Sequence, residues 1–148
     1  MTRQQQILLG GLTILLLGAC TKEEPPKPAM LYPVVRAAMP GGYTLTAIQH
    51  PSEKDACTKT NERFATPLKA NCPDCKIEAS SCEASLSGAE KALMAGEPLP
   101  QYSVSAGSMR ILLGGSDEVT KPVCEKMASD LAGKNPGTAS CIPPVKRP

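Results

Sequence analysis

The chain has 148 residues, with 16 Lys and Arg against 14 Asp and Glu, a formal net charge of +2. So small a charge gives no basic footprint for nucleic acid. Phe64, Tyr32, Tyr43 and Tyr102 are the only aromatic residues, too few for a stacking groove along a single strand or an extended glycan.

Arg3 is followed by an uncharged apolar run from Ile7 to Leu17. That run is shorter than the ~20 residues a membrane-spanning helix needs. A positive start, a short apolar core and small residues after it read as a secretory signal. The signal closes on Leu17-Gly18-Ala19-Cys20, which resembles the lipobox of bacterial lipoproteins. The resemblance implies cleavage after Ala19, diacylglycerol on the Cys20 thiol and acylation of the new amino group. It makes Leu17, Gly18 and Ala19 the recognition residues. It also implies Thr21, which stands where an Asp commonly favours inner-membrane retention, as a pointer to the outer membrane of a Gram-negative cell.

From Thr21 to Pro33 the sequence holds Pro25, Pro26, Pro28 and Pro33 with Lys22, Glu23, Glu24 and Lys27. Proline-rich charged sequence stays extended and buries little. The expected organisation is a signal peptide over 1–19, a lipidated cysteine and tether over 20–33, and one domain over 34–148. Six cysteines fall in that domain: Cys57, Cys72, Cys75, Cys82, Cys124 and Cys141. An even count in an exported chain predicts disulfides.

In chain order, Val34 to Ala37 is a short apolar run, Pro40-Gly41-Gly42 is a turn, and Tyr43 to Ile48 alternates as a second strand. Ser52 and Asp55 predict a cap for a helix carrying Cys57, Phe64 and Leu68 on one face, ended or bent at Pro67. Lys76 to Cys82 is the next strand, with Ile77 and Ala79 on one side. Ser87 and Glu90 predict a capping box for a short helix through Ala95, stopped by Gly96. Tyr102 to Ser105 and Met109 to Leu113 are strands joined through Ala106-Gly107. A helix follows over Asp117 to Ala132, with Val123, Met127, Ala128 and Leu131 on one face. Pro122 places its regular part from Thr120, and Gly133 is its expected cap. Thr138 to Ile142 is the last strand.

Strand–turn–strand–helix–strand therefore occurs twice, joined by the short helix. Cys57 and Cys124 sit early in the main helix of each half, and Cys82 and Cys141 lie by its closing strand. A helix packed on a sheet brings such positions together. The expected bridges are Cys124–Cys141 first, then one from Cys57 to Cys72, Cys75 or Cys82. The predicted fold class is α+β: a small disulfide-stapled domain, a pseudo-repeat around a mixed sheet.

Two segments resemble the opening of SPOR domains, small α+β folds that bind peptidoglycan stripped of its side peptides. One is Tyr43-Thr-Leu-Thr-Ala-Ile before its Ser-capped helix. The other is Met109-Arg-Ile-Leu-Leu-Gly-Gly-Ser-Asp before an amphipathic helix ending Leu-Ala-Gly. The resemblance implies a ligand face around Tyr43, Thr46, Tyr102 and Arg110.

Cys72-Pro73-Asp74-Cys75 is the sharpest chemical motif. A CxxC pair opening a helix has one thiol of lowered pKa and acts as a dithiol oxidant or reductant. Here the pair follows the end of a helix, and Asn71 replaces the usual preceding aromatic. That context favours two structural cysteines. Cys72, Cys75 and Cys82 with His50 have the types of tetrahedral metal ligands, but irregular spacing and an oxidising compartment argue for no metal. His50, before Pro51, reads as a loop residue. The acid pairs Glu23-Glu24 and Asp117-Glu118 fit a solvated tether and a helix first turn.

The expected function is that of a non-enzymatic, lipid-anchored envelope protein of binding or assembly role. Its expected partners are the membrane, through Cys20, and a protein or the cell wall, with no cofactor and no nucleic acid. The alternatives are a thiol–disulfide oxidoreductase using Cys72 and Cys75, and a SPOR-like peptidoglycan binder.

Overall fold

The computed structural model describes residues 26–133 and 137–145; the expected signal peptide, lipobox and Cys20 and the start of the expected tether lie outside them. Six strands and three helices follow in the order β1 (Tyr32–Met39), β2 (Tyr43–Gln49), α1 (Lys54–Asn71), β3 (Lys76–Glu83), α2 (Gly88–Ala95), β4 (Ser103–Ala106), β5 (Met109–Gly114), α3 (Asp117–Ala132) and β6 (Ala139–Ile142). The strands form one sheet in the order β3-β1-β2-β5-β4-β6.

The fold is α+β and repeats. Each half is a hairpin, a helix and a closing strand that returns beside the first strand of its hairpin. The halves join where β2 pairs with β5, and that pairing has two-fold character. The pair Thr44–Gly114 has its counterpart in Ile48–Arg110, and Leu45–Leu113 in Ala47–Ile111, so the pseudo-axis passes between Thr46 and Leu112. The sheet is antiparallel throughout rather than mixed. The crossover from β2 through α1 does run to a strand of like direction, but β1 lies between the two. The same holds for β5, α3 and β6 around β4.

Both sheet faces are covered. The period of two along each strand divides the apolar residues between them. Leu45, Ala47, Val104, Ile111 and Leu113 pack with Cys124 and Ala128 under the long helices. Val34, Ile48 and Leu112 pack on the opposite face with Leu93 of α2 and Leu99. Helix α1 lies over β1 and β3, and α3 over β4 and β6. Helix α2 belongs to neither repeat and covers the second face.

Several local features differ from the sequence reading. β1 starts at Tyr32, taking Tyr32 and Pro33 from the expected tether. Leu31 exchanges two backbone hydrogen bonds with Ser52, at 2.8 and 2.9 Å. Ser52 is thus held in a bridge, and Glu53 precedes α1 with no side-chain cap. At α2, Ser87 holds the cap position, but no capping box forms; Glu90 is drawn away to Arg36. Pro67 and Pro122 each remove one hydrogen bond without ending a helix. Both prolines are exposed, as are Arg63 and Glu118, whose carbonyls lose the partner, so water can replace it. Accordingly α3 is regular from Asp117. The α2 stop is as expected: Gly96 is left-handed, with φ 72°. Gly133, in contrast, caps α3 in a right-handed conformation, with φ −59°.

Candidate functional site

The six domain cysteines form three disulfides: Cys57–Cys82, Cys72–Cys75 and Cys124–Cys141. Two of these are repeat equivalents, each tying the main helix of a half to its closing strand. Cys57 and Cys124 are fully buried. Asn61, one turn after Cys57, is also buried, and donates to the Ser81 carbonyl at 2.7 Å. These are structural surroundings for sulfur.

Cys72 and Cys75 lie differently. Cys72 follows the last turn of α1, its N–H donating to the Leu68 carbonyl at 2.9 Å. Cys75 closes a turn onto the Cys72 carbonyl at 3.1 Å. The pair therefore sits at the carbonyl end of a helix. The partial negative charge there opposes a thiolate, whereas a CxxC that opens a helix enjoys the reverse. His50 is exposed in the β2–α1 connection. Of the sulfurs considered as metal ligands, Cys82 is bonded to Cys57, and Cys72 and Cys75 to each other. Among the described residues no group of three or more His, Cys, Asp or Glu is placed to hold a metal ion. Asp117 and Glu118 are exposed in the first turn of α3.

The face expected around Tyr43, Thr46, Tyr102 and Arg110 does not exist as one face. Tyr43 and Tyr102 pack against the cluster under α1 and α3. Burial raises the Tyr43 phenol above its ordinary pKa. Thr46 stands an odd number of residues from Tyr43 and so points to the other side of the sheet. Arg110, opposite Ile48 and Ser105, shares that second side with Thr46.

On that second face the two halves diverge. In the first half, Arg36 of β1 is enclosed. Its Nη1 donates to Glu83 Oε1 at 2.7 Å and its Nε to Glu90 Oε1 at 2.8 Å; Nη2 reaches both carboxylates. The hydrogen bond to Glu83 leads the effects that hold Arg36 protonated well above the ordinary arginine range. The same bond holds the Glu83 carboxyl below its ordinary value.

In the second half α2 packs on β5, and beyond it, toward β4 and β6, a cleft of about 340 Å³ is left on this face. Leu93, Leu99, Ile142 and Val145 supply apolar wall; Gln101, Ser103 and Arg110 supply polar groups, with Glu97 also on the lining. Val145 N–H donates to the Leu99 carbonyl at 2.8 Å, holding the segment after β6 against the loop after α2. Arg110 Nη1 donates to the carbonyls of Gly107 and Met109, at 2.7 and 3.0 Å. Among the described residues Arg110 has no carboxylate partner. An apolar cleft with a few convergent polar groups is the usual form of a ligand site. A shallower hollow of about 430 Å³ lies beside Tyr32, Leu86 and Met94, near the start of β1.

The sequence reading reached Arg110 only through a resemblance and missed Gln101, Ser103 and the apolar wall. Strand alternation carried part of the signal: Ser103 and Ser105 fall on one face with Arg110 and Leu112, opposite Val104 and Ile111. Among the described residues no helix is long and apolar enough to cross a membrane. No protein-family model, no curated protein and no solved structure matches this chain.

Proposed function

We propose that this chain is a lipid-anchored cell-envelope protein whose domain binds or assembles with a partner rather than catalysing a reaction. The observation that carries the reading is the pairing of the cysteines. Of seven cysteines, six bond among themselves within the domain. The seventh is Cys20, the closing residue of Leu17-Gly18-Ala19-Cys20. Three disulfides fit an oxidising compartment outside the cytoplasm, which is where a lipobox delivers its protein. Thr21 favours the outer membrane of a Gram-negative cell, with the domain in the periplasm or at the surface.

The anchor also limits where the domain works. Between Cys20 and Leu31 lie residues 21–30, which extend to about 35 Å at most. A partner in the same membrane or the adjoining cell wall is within that reach. The cleft beside Arg110 gives the domain a place to bind.

Mass spectrometry of the protein from a lipoprotein-processing host tests the anchor. The mature chain is expected to begin at Cys20 and to carry diacylglycerol there. A Cys20→Ser chain is expected to lose palmitate labelling and keep all three domain disulfides. Cleavage elsewhere, or labelling that survives the substitution, overturns the reading.

A further inference from the structure

We propose that the cleft beside Arg110 binds the C-terminus of a polypeptide, taking its carboxylate on Arg110 and an apolar last side chain between Leu99, Ile142 and Val145. Arg110 Nη1 is occupied by the Gly107 and Met109 carbonyls, which fix the plane of the guanidinium. Nε and Nη2 have no protein acceptor among the described residues. Those two atoms form the side-on edge that receives a carboxylate through paired hydrogen bonds. Arg36 shows the alternative on the same sheet face, where two carboxylates of the chain fill its donors. Arg110 is charged, partly buried and supplied with neutral acceptors on one side only.

The rest of the cleft selects the ligand class. Its wall is mostly apolar, and Ile142 and Val145 remain 44% and 52% exposed. Ser103 and Gln101 place a hydroxyl and an amide on the same lining. A peptide end has matching parts: a carboxylate, an apolar side chain, and amides that use hydroxyl and amide partners. A plain fatty chain leaves those two groups without a role. Glu97 on the lining disfavours a second negative charge and favours one carboxylate held on the Arg110 side.

This inference rests on the binding reading above, and its failure leaves the anchor test untouched. The test uses the full-length protein in non-ionic detergent and a labelled tetrapeptide ending in leucine, as free acid or C-terminal amide, followed by fluorescence anisotropy. The free acid is expected to bind at least about tenfold more tightly than the amide, because a charge-assisted pair is lost in the amide. Arg110→Gln is expected to erase that difference, and Arg110→Lys to restore only part of it. Glu97→Gln, at an exposed position, is expected to tighten the acid alone. Equal binding of acid and amide to the unmodified protein overturns the proposal whatever the variants do. So does tighter binding of decanoate than of the peptide acid, which assigns the cleft to a fatty chain.

Discussion

Arg36 of β1 donates to Glu90 of α2 at 2.8 Å, and this contact pins the one helix among the described residues that stands outside the repeat. Glu83 of β3 holds the same guanidinium from its other side. Arg36→Ala is expected to leave two carboxylates facing each other and to destabilise the domain by roughly 1–2 kcal/mol, allowing for partial exposure. Lys126→Ala breaks an exposed pair with Asp130 one turn away and is expected to cost roughly 0.5 kcal/mol or less. Urea denaturation followed by circular dichroism compares the two. Hydrogen exchange in α2 is expected to rise only in the Arg36 variant. Equal effects from both substitutions would remove any special role for the α2 contact.

The same arginine makes stability depend on pH in a defined direction. Hydrogen bonding from Arg36 lowers the Glu83 carboxyl below its ordinary value. A carboxyl that is more acidic in the folded state stabilises the fold above the unfolded value, about 4.3. That contribution is lost as the pH falls through the lower, folded value. The stability gap between the native protein and Glu83→Gln is therefore expected to be full at neutral pH and to close under more acid conditions. Denaturant midpoints of both proteins across that range measure it. A gap that widens on acidification contradicts the assignment.

The two repeat-equivalent disulfides are expected to dominate stability. Cys57–Cys82 and Cys124–Cys141 span 25 and 17 residues of sequence, against 3 for Cys72–Cys75. Loop-closure entropy gives each long bridge about 3 kcal/mol and the short one less. Paired Cys→Ser variants, followed by thermal unfolding, are expected to rank in that order. A Cys72/Cys75 variant that loses as much as the others would assign that turn a larger role in holding α1 to β3.

Of these bridges Cys124–Cys141 was legible as a pair, while Cys57 was left with Cys72, Cys75 or Cys82 as its partner. Cys124 near the start of a helix and Cys141 in the following strand left few other arrangements, because a helix packed on its own sheet forces such positions together. The strands were legible because Leu45, Ala47, Val104, Ile111 and Leu113 alternate with polar or opposite-facing residues. The caps were not. Ser52 and Ser87 have suitable spacing, but Leu31 and Arg36 compete for the groups involved, and both come from distant chain. The cleft was hidden for the same reason. Leu93, Leu99, Arg110 and Ile142 come from separate elements that only the order β5-β4-β6 brings side by side.

Two glycines at the ends of α3 should respond in opposite directions to alanine. Gly115 has φ 154°, and a Cβ there would stand 3.2 Å from both Thr120 Cγ2 and Tyr43 Cβ. Thr120 is buried, with its hydroxyl held by the Ser116 carbonyl at 2.9 Å, so it cannot easily yield. Gly115→Ala is expected to cost roughly 1–3 kcal/mol through strain and crowding. Gly133 is already right-handed, and among the described residues its Cβ would meet only the Ser129 and Asp130 carbonyls, at 3.4 and 3.6 Å. Alanine there narrows the unfolded ensemble at little native cost, so Gly133→Ala is expected to stabilise by about 0.4–1 kcal/mol. The sequence reading, with Gly133 as a helix stop, leaves open a left-handed cap, for which alanine would be harmful. Thermal unfolding of the two single variants separates these cases: a lower midpoint for Gly133→Ala would mean that the end of α3 turns left-handed in solution.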